Sequence, residues 1–127
     1  MNRTSALSIV CVFCASPVLA DPTWWTPRPE DVQKADDEIG QTVDFSGFTC
    51  PPRPKAAFYR HYWGWADKAG HRSLGAQLVL ASAETNQVAG VHIEKRWYPI
   101  ADGGCSIANV WFDADTLEVF QASWGGR

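Results

Sequence analysis

The sequence has no long apolar run after its first twenty residues, and the residues that follow them include few cysteines and few basic residues. The apolar stretch Ala6–Ser16 is shorter than the roughly 20 residues that a membrane-spanning helix needs. We therefore predict no membrane anchor after export. Beyond residue 20 the chain has 10 Lys and Arg against 14 Asp and Glu, a formal charge of −4. This balance excludes the basic surface that is typical of a nucleic-acid-binding protein.

The sequence also lacks the motifs that mark common catalytic and metal sites. No Ser or Cys nucleophile has a recognisable motif around it, and His61, His71 and His92 are scattered without zinc-site spacing. Asp113–Thr116 lacks the Gly and the terminal Glu of an EF-hand loop, so we interpret it as a hairpin turn. We predict no cofactor, no metal and no catalytic residue, and an enzyme is the weakest of the function hypotheses.

The first twenty residues predict a secretory signal peptide. Arg3 and the amino terminus are positive, the uncharged stretch Ala6–Ser16 follows, and Pro17 breaks it before the small or modest residues Val18-Leu19-Ala20. The alternative, a buried N-terminal helix, explains neither the charge pattern nor Pro17. We predict cleavage after Ala20 and one exported domain, residues 21–127, that is secreted or periplasmic.

Two of the four cysteines leave with the signal peptide, and Cys50 and Cys105 remain. In an oxidising compartment this even number allows one pairing, so we predict a disulfide. The alternative, a redox or metal-binding pair, normally shows a C-x-x-C spacing or nearby His ligands. The two cysteines are 55 positions apart, which favours a structural role.

Residues 29–41 have the periodicity of an amphipathic helix. Val32, Ala35, Ile39 and Val43 recur at helical spacing, and prolines and acids precede them. We predict a helix from Pro29 to Gln41 whose polar face is exposed. The residues assigned to that polar face are Gln33, Lys34, Asp36, Asp37 and Glu38.

After residue 56 the period changes to that of strands. Residues 44–55 are predicted to be a stiff, proline-rich loop, with a motif for a proline-binding domain as the alternative. Alternation then predicts five strands, at Ala57–Trp65, Leu74–Leu80, Val91–Ile93, Cys105–Phe112 and Leu117–Trp124. Short turn signals between them favour an antiparallel meander.

One helix followed by about five strands predicts a two-layer α+β domain with the helix on one face of the sheet. This order of elements resembles that of cystatin-like folds, as an analogy of architecture and not of family.

Aromatic residues are the most unusual feature of the mature chain. It contains Trp24, Trp25, Trp63, Trp65, Trp97, Trp111 and Trp124. Tyr59, His61, Trp63 and Trp65 share one strand face, which we take as a candidate binding site because Trp and Tyr are frequent interface anchors. The alternative is that these rings form the core and its rim.

Two further patterns have both a functional and a structural interpretation. His92 and Glu94 share a strand face and could form an acid–base dyad, but a solvated ion pair is the simpler expectation. Asp102–Gly104 could direct backbone N–H groups at an anion, but a turn leading into the disulfide strand is simpler.

The sequence leaves three function hypotheses from different classes. The first is a small exported binding, inhibitor or immunity-type protein whose aromatic strand surface contacts an envelope or secreted protein. The second is a small-ligand or glycan-binding periplasmic protein. The third is a hydrolase or other enzyme, and a structural role in an envelope assembly is the remaining alternative.

Overall fold

The computed structural model describes residues 23–45, 49–81, 88–95 and 103–125, and the statements below concern these residues. The predicted signal peptide and its cleavage site lie outside them, as do Trp97 and Asp102. The helix is α1, Pro29–Ile39, and short 3-10 turns occupy Lys55–Ala57 and Gly104–Ser106. The strands are β1 (Thr23–Trp25), β2 (Thr42–Val43), β3 (Arg53–Pro54), β4 (Phe58–Ala66), β5 (Arg72–Leu80), β6 (Gly90–Ile93), β7 (Ile107–Asp113) and β8 (Val119–Trp124).

Helix α1 begins and ends where the sequence predicts, to within two residues. Pro29 occupies the first turn, where its missing N–H costs nothing, and the acidic Glu30 and Asp31 lie beside the positive end of the helix dipole. Gly40 ends the helix with a φ of 84°, a conformation that glycine adopts without steric cost.

The main sheet has the order β1-β4-β5-β7-β8, with antiparallel neighbours throughout this path. The α+β class and the largely antiparallel sheet are therefore confirmed. The predicted meander is wrong at its third strand, because β6 pairs in parallel with β4 and not with β5. The edge of β5 is occupied by β7, and β1 covers only residues 64–66 of β4, so β6 occupies the remaining part of that edge.

Three short strands were missed by the sequence pattern. β1 adds Trp24 opposite Trp65 at the edge of the sheet. β2 and β3 form a two-stranded antiparallel sheet, so the proline-rich segment predicted as a loop contains a paired strand. Strands of two or three residues are too short to produce a visible alternation.

The core lies between α1 and one face of the main sheet. Val32, Ala35 and Ile39 of the helix belong to one buried apolar cluster with sheet residues. The sheet and loop members of that cluster are Val43, Phe58, Tyr62, Leu74, Ala76, Leu78, Ala108, Val110, Phe112 and Trp124. The predicted disulfide is confirmed: Cys50 and Cys105 are joined with an S–S distance of 2.04 Å.

Asp36 does not lie on an exposed polar face, as the helical pattern predicted, but is only 3% exposed. Its carboxylate contacts Arg60 Nε at 2.8 Å and Lys55 Nζ at 3.2 Å. It also accepts a hydrogen bond of 2.7 Å from the Tyr62 hydroxyl. The carboxylate is buried because three donors satisfy it, which is the condition under which a buried charge is tolerated.

Among the residues that the structure describes, no helix is long and apolar enough to cross a membrane.

Candidate functional site

The sheet face opposite α1 carries the predicted binding residues, and we call it the helix-free face. Because side chains alternate along a strand, paired residues on neighbouring strands form rows across this face. One row runs from Trp24 through Trp65 and Ser73 to Asp113. The next contains Trp63, Gly75, Trp111 and Gln121, and a third contains His92, His61, Gln77, Asn109 and Ser123.

The structure brings Tyr59, His61, Trp63 and Trp65 onto this one face, but it does not expose all four. Trp63 is 1% exposed and His61 is 6% exposed, whereas Tyr59 and Trp65 are half-buried. For Trp63 and His61, this burial agrees with the alternative that the rings belong to the core and its rim.

The burial of Trp63 has a clear steric cause. Its indole lies flat over Gly75, so closely that a Cβ at that position would come within 2.5 Å of the ring atom Cε2. The ring also meets Trp111 edge-on, at a centroid distance of 5.4 Å. Gly75 thus provides the space into which the Trp63 ring folds down, and Trp63 is a packing residue.

A chain of hydrogen bonds fixes the orientation of His61. The Asn109 amide nitrogen donates to the Gly125 backbone carbonyl, which can only accept, so Asn109 Oδ1 must be the acceptor for Gln77 Nε2 at 2.9 Å. Gln77 Oε1 then faces His61 Nε2 at 3.2 Å and requires a proton there. The neutral imidazole therefore carries its proton on Nε2, and burial lowers the pKa of His61 despite the hydrogen bond to Gln77.

Tyr59 contacts His92 of β6 and Glu94, the residue that follows β6. Its ring stacks on His92 at a centroid distance of 4.0 Å, and its hydroxyl donates to Glu94 Oε1 at 3.0 Å. Burial, followed by the contact with Glu94, raises the pKa of Tyr59. His92 Nε2 lies 3.1 Å from the Val88 carbonyl oxygen. The expected ion pair between His92 and Glu94 is thus replaced by a separate partner for each side chain.

An open cleft of about 580 Å³ lies at the other end of the helix-free face. Trp65 and Phe120 contribute apolar walls, and Ser73, His71 and Asp113 contribute polar groups. We call this the Trp65 cleft. Sequence reasoning missed it because its lining comes from four strands, β4, β5, β7 and β8, and from the turns that follow β4 and β7.

The Asp113 carboxylate is held in a fixed orientation at this cleft. Oδ1 accepts backbone N–H bonds from Asp115 at 2.9 Å and Thr116 at 3.0 Å, which shows the turn predicted for this segment. Oδ2 lies 3.8 Å from His71 Nε2. The backbone hydrogen bonds from Thr116 and Asp115 lower the pKa of Asp113, so the carboxylate is ionised at neutral pH.

Exposed aromatic and aliphatic side chains surround the same end of the sheet. Trp24 is 38% exposed and packs edge-on against Trp65 with ring centroids 4.7 Å apart. Phe120 is 58% exposed, and its neighbour Val119 is also exposed. We call Trp24, Trp65, Val119 and Phe120 the aromatic end. Of these four, only Trp65 is among the binding residues predicted from the sequence.

Ser, His and Asp side chains meet in the Trp65 cleft without forming a catalytic relay. The 3.8 Å between His71 Nε2 and Asp113 Oδ2 is too long for a hydrogen bond, and Ser73 is buried. A serine hydrolase needs an accessible hydroxyl that is hydrogen-bonded to an oriented imidazole. In the part of the chain that the structure covers, no three His, Cys, Asp or Glu side chains converge as metal ligands.

A second cavity, of about 600 Å³, lies on the helix side of the β7–β8 turn. Its lining includes Arg28, Lys34 and Arg72 together with Asp31 and Asp115. Arg28 donates to Asp31 at 3.0 Å. The guanidinium of Arg72 lies 3.9 Å from the centre of the Trp25 ring. Arg28 and Arg72 therefore already have partners within the chain.

Compared with known protein families, curated proteins and solved structures, the chain gives no match.

Proposed function

We propose that this protein is a small exported domain that binds an envelope or secreted protein through its aromatic end. The observation that carries the proposal is the exposure of Trp24 and Phe120 beside a cleft that contains an ionised carboxylate. Large rings that are accessible to solvent and surround a polar group are typical of interface anchors.

The energetics of these rings support binding. Covering apolar surface stabilises a complex by about 25 cal/mol for each Å² removed from water. Trp24 is held by its pairing with Trp65 and by the register of β1 on β4, so little side-chain entropy is lost when a partner covers it. A rigid ring that is already oriented gives more binding free energy than a flexible one.

The class that fits this architecture is an inhibitor or immunity-type protein. The signal-like N-terminus and the Cys50–Cys105 disulfide support export and stability in an oxidising compartment. A helix packed on a largely antiparallel sheet gives a rigid scaffold that presents a short surface. The aromatic end is such a surface.

A glycan-binding function is the second candidate. The row Trp65, Ser73 and Asp113 places an indole ring, a hydroxyl and a carboxylate on adjacent strands, about 5 Å apart from strand to strand. A ring to stack on and acceptors beside it are the groups that a sugar requires. This candidate shares the Trp65 cleft but not the need for Trp24 and Phe120.

Affinity capture tests the proposal. The oxidised mature protein, residues 21–127, is immobilised and exposed to envelope extract, and captured proteins are identified by mass spectrometry. The Trp24→Ala/Phe120→Ala variant is expected to lose the captured partner, while Val88→Ala, which truncates a 71% exposed side chain elsewhere, retains it. Equal capture by all three proteins contradicts the proposal, and circular dichroism verifies that each variant is folded.

A further inference from the structure

We infer that the Trp65 cleft receives an arginine side chain of the partner protein. The inference rests on the proposed function and specifies which chemical group of the partner enters the cleft. The occupant is a planar cation that stacks on the Trp65 indole and donates hydrogen bonds to the Asp113 carboxylate.

The charge of the cleft selects a cation. Its lining includes the carboxylates of Asp67, Asp113 and Glu118, and the described residues that form it include no Lys or Arg. The mature chain has a formal charge of −4, which adds to the negative potential around the cleft. A neutral sugar has no net charge for this field to attract, whereas a positively charged side chain is attracted by it.

Asp113 is prepared to accept hydrogen bonds without rearranging. The turn holds Oδ1 through two backbone N–H groups, and this leaves Oδ2 directed toward His71 on the cleft side. Because the same backbone bonds keep the carboxylate ionised, it offers a charged acceptor in a fixed position. A charge-assisted hydrogen bond of this kind is about twice as strong as a neutral one.

Trp65 supplies the other half of the recognition. It is separated from Asp113 by one strand, since Ser73 pairs with both residues, and two strand spacings place their Cα atoms about 10 Å apart. A guanidinium group stacks on an aromatic face while its N–H groups remain free to donate in the ring plane. The chain contains this stacking at Trp25, where the Arg72 guanidinium lies 3.9 Å from the ring centre.

Arginine is favoured over lysine by the shape of the site. A lysine ammonium is a compact, strongly hydrated point charge, and it cannot stack as a plane. Ser73 pairs with both Trp65 and Asp113, so the site has an indole ring on one side and a carboxylate on the other, and a planar cation can contact both.

The experiment is an NMR titration of the oxidised, ¹⁵N-labelled mature protein with three blocked tripeptides. These contain arginine, lysine or citrulline between two glycines, and citrulline has nearly the shape of arginine without its charge. The arginine peptide is expected to shift the signals of Trp65, His71 and Phe120, and to bind about tenfold more tightly than the citrulline peptide. Binding should weaken as salt concentration rises.

Two variants of the same turn provide a matched comparison. Asp113→Asn keeps an oxygen for the turn N–H groups but removes the charge, and it should weaken arginine binding about tenfold. Asp115→Asn removes the same charge on the side of the other cavity and should leave binding within twofold. Equal affinity for arginine and citrulline peptides, or equal effects of the two variants, overturns the inference.

The outcomes also separate this inference from the proposed function. Partner capture that depends on Trp24 and Phe120, together with no arginine-peptide binding, retains the protein-binding function and rejects the arginine occupant. A titration with chitotriose that shifts Trp65 while the arginine peptide does not rejects the inference in favour of a glycan. If the unchanged protein captures no partner and binds no arginine peptide, both proposals are rejected.

Discussion

Asp36 of the helix and Arg60 of the sheet form a buried ion pair, with 2.8 Å between Oδ1 and Nε and side-chain exposures of 4% and 11%. Lys55 contacts the same carboxylate, and its Nζ also donates to the Asp36 backbone carbonyl at 2.8 Å. One carboxylate therefore forms ion pairs with two cations and accepts a hydrogen bond from the Tyr62 hydroxyl, at the junction between helix and sheet.

We expect Asp36→Ala to reduce the free energy of unfolding by about 3–5 kcal/mol, because it leaves two buried cations without their counter-charge. Urea denaturation of the oxidised protein measures this loss. Asp37→Ala is the matched control, since the neighbouring carboxylate is exposed and bonds only Gln33 among the described residues. Similar small losses in both variants would show that the ion pair contributes little.

We expect Trp63→Ala and Trp24→Ala to differ strongly in stability. Removing the buried Trp63 ring leaves a cavity above Gly75 and should cost about 3–5 kcal/mol. Removing the half-exposed Trp24 ring should cost far less, because solvent already reaches it. Thermal denaturation followed by circular dichroism makes the comparison, and a Trp24→Ala loss as large as that of Trp63→Ala would contradict it.

His61 should make stability dependent on pH in mildly acidic solution. Its folded pKa is lowered by burial, so the unfolded chain, with an ordinary pKa of about 6.5, takes up the proton first as pH falls. The stability contribution is complete above about pH 6.5 and declines as pH falls below that value toward the folded pKa. Three other titratable side chains lie near this imidazole, and the variants compared below leave them unchanged. They are Tyr59, His92 and Glu94.

The measurement is the difference in unfolding free energy between pH 7 and pH 5. His61→Gln, which keeps an N–H donor for Gln77, should show a smaller difference than the unchanged protein. His71→Gln, at an exposed position, controls for the loss of an imidazole. Nitrogen chemical shifts of His61 at pH 7 should identify Nε2 as the protonated atom, and protonation on Nδ1 would contradict the hydrogen-bond chain from Gly125.

The disulfide should be a major source of stability. In the chain-entropy model, a bridge across 55 positions stabilises the fold by about 4 kcal/mol. Cys50→Ser/Cys105→Ser should therefore lower the melting temperature by many degrees, and non-reducing mass analysis of the unchanged protein should show two fewer hydrogens than the reduced form. An unchanged melting temperature in this variant would show that the disulfide contributes little to stability.

Periodicity predicted the elements that are long enough to show a period. It located α1 and the four long strands β4, β5, β7 and β8, and the compartment predicted the single disulfide. It did not predict the position of β6, because a local pattern contains no information about which distant edge a short strand will join. β1 was missed because its three residues are too short to show an alternation, and with it the pairing of Trp24 with Trp65.

The burial of Asp36 could have been recognised from spacing alone. Position 36 lies four residues after Val32 and three before Ile39, so it falls within the apolar stripe and not opposite it. A carboxylate in that stripe must have a cationic partner, and Arg60 shares a strand face with Phe58 and Tyr62. At this site the position within the stripe decides the burial, and the polar character of Asp does not.

The Trp65 cleft could not have been predicted in this way. It depends on the register that places Ser73 beside both Trp65 and Asp113, and on the turn that orients Asp113. Neither relationship is visible in a single strand. Sequence reasoning therefore named residues on the sheet face that carries the Trp65 cleft, but it also included Trp63 and His61, which the tertiary structure buries.

The placement of β7 between β5 and β8 also governs when this domain can fold as it emerges from N to C terminus. β5 acquires its second neighbour only after residue 107 is available, and Cys50 acquires its partner only after residue 105. Pairings between such distant positions form slowly, because the entropy of closing a long loop is lost before the stabilising contacts form. A hairpin of β4 and β5 alone would leave uncovered the edge of β5 that β7 occupies in the folded domain. The Cys50–Cys105 disulfide, whose formation needs an external two-electron oxidant, can therefore form only after residue 105 has emerged, and the loop that it closes contains β3 to β6.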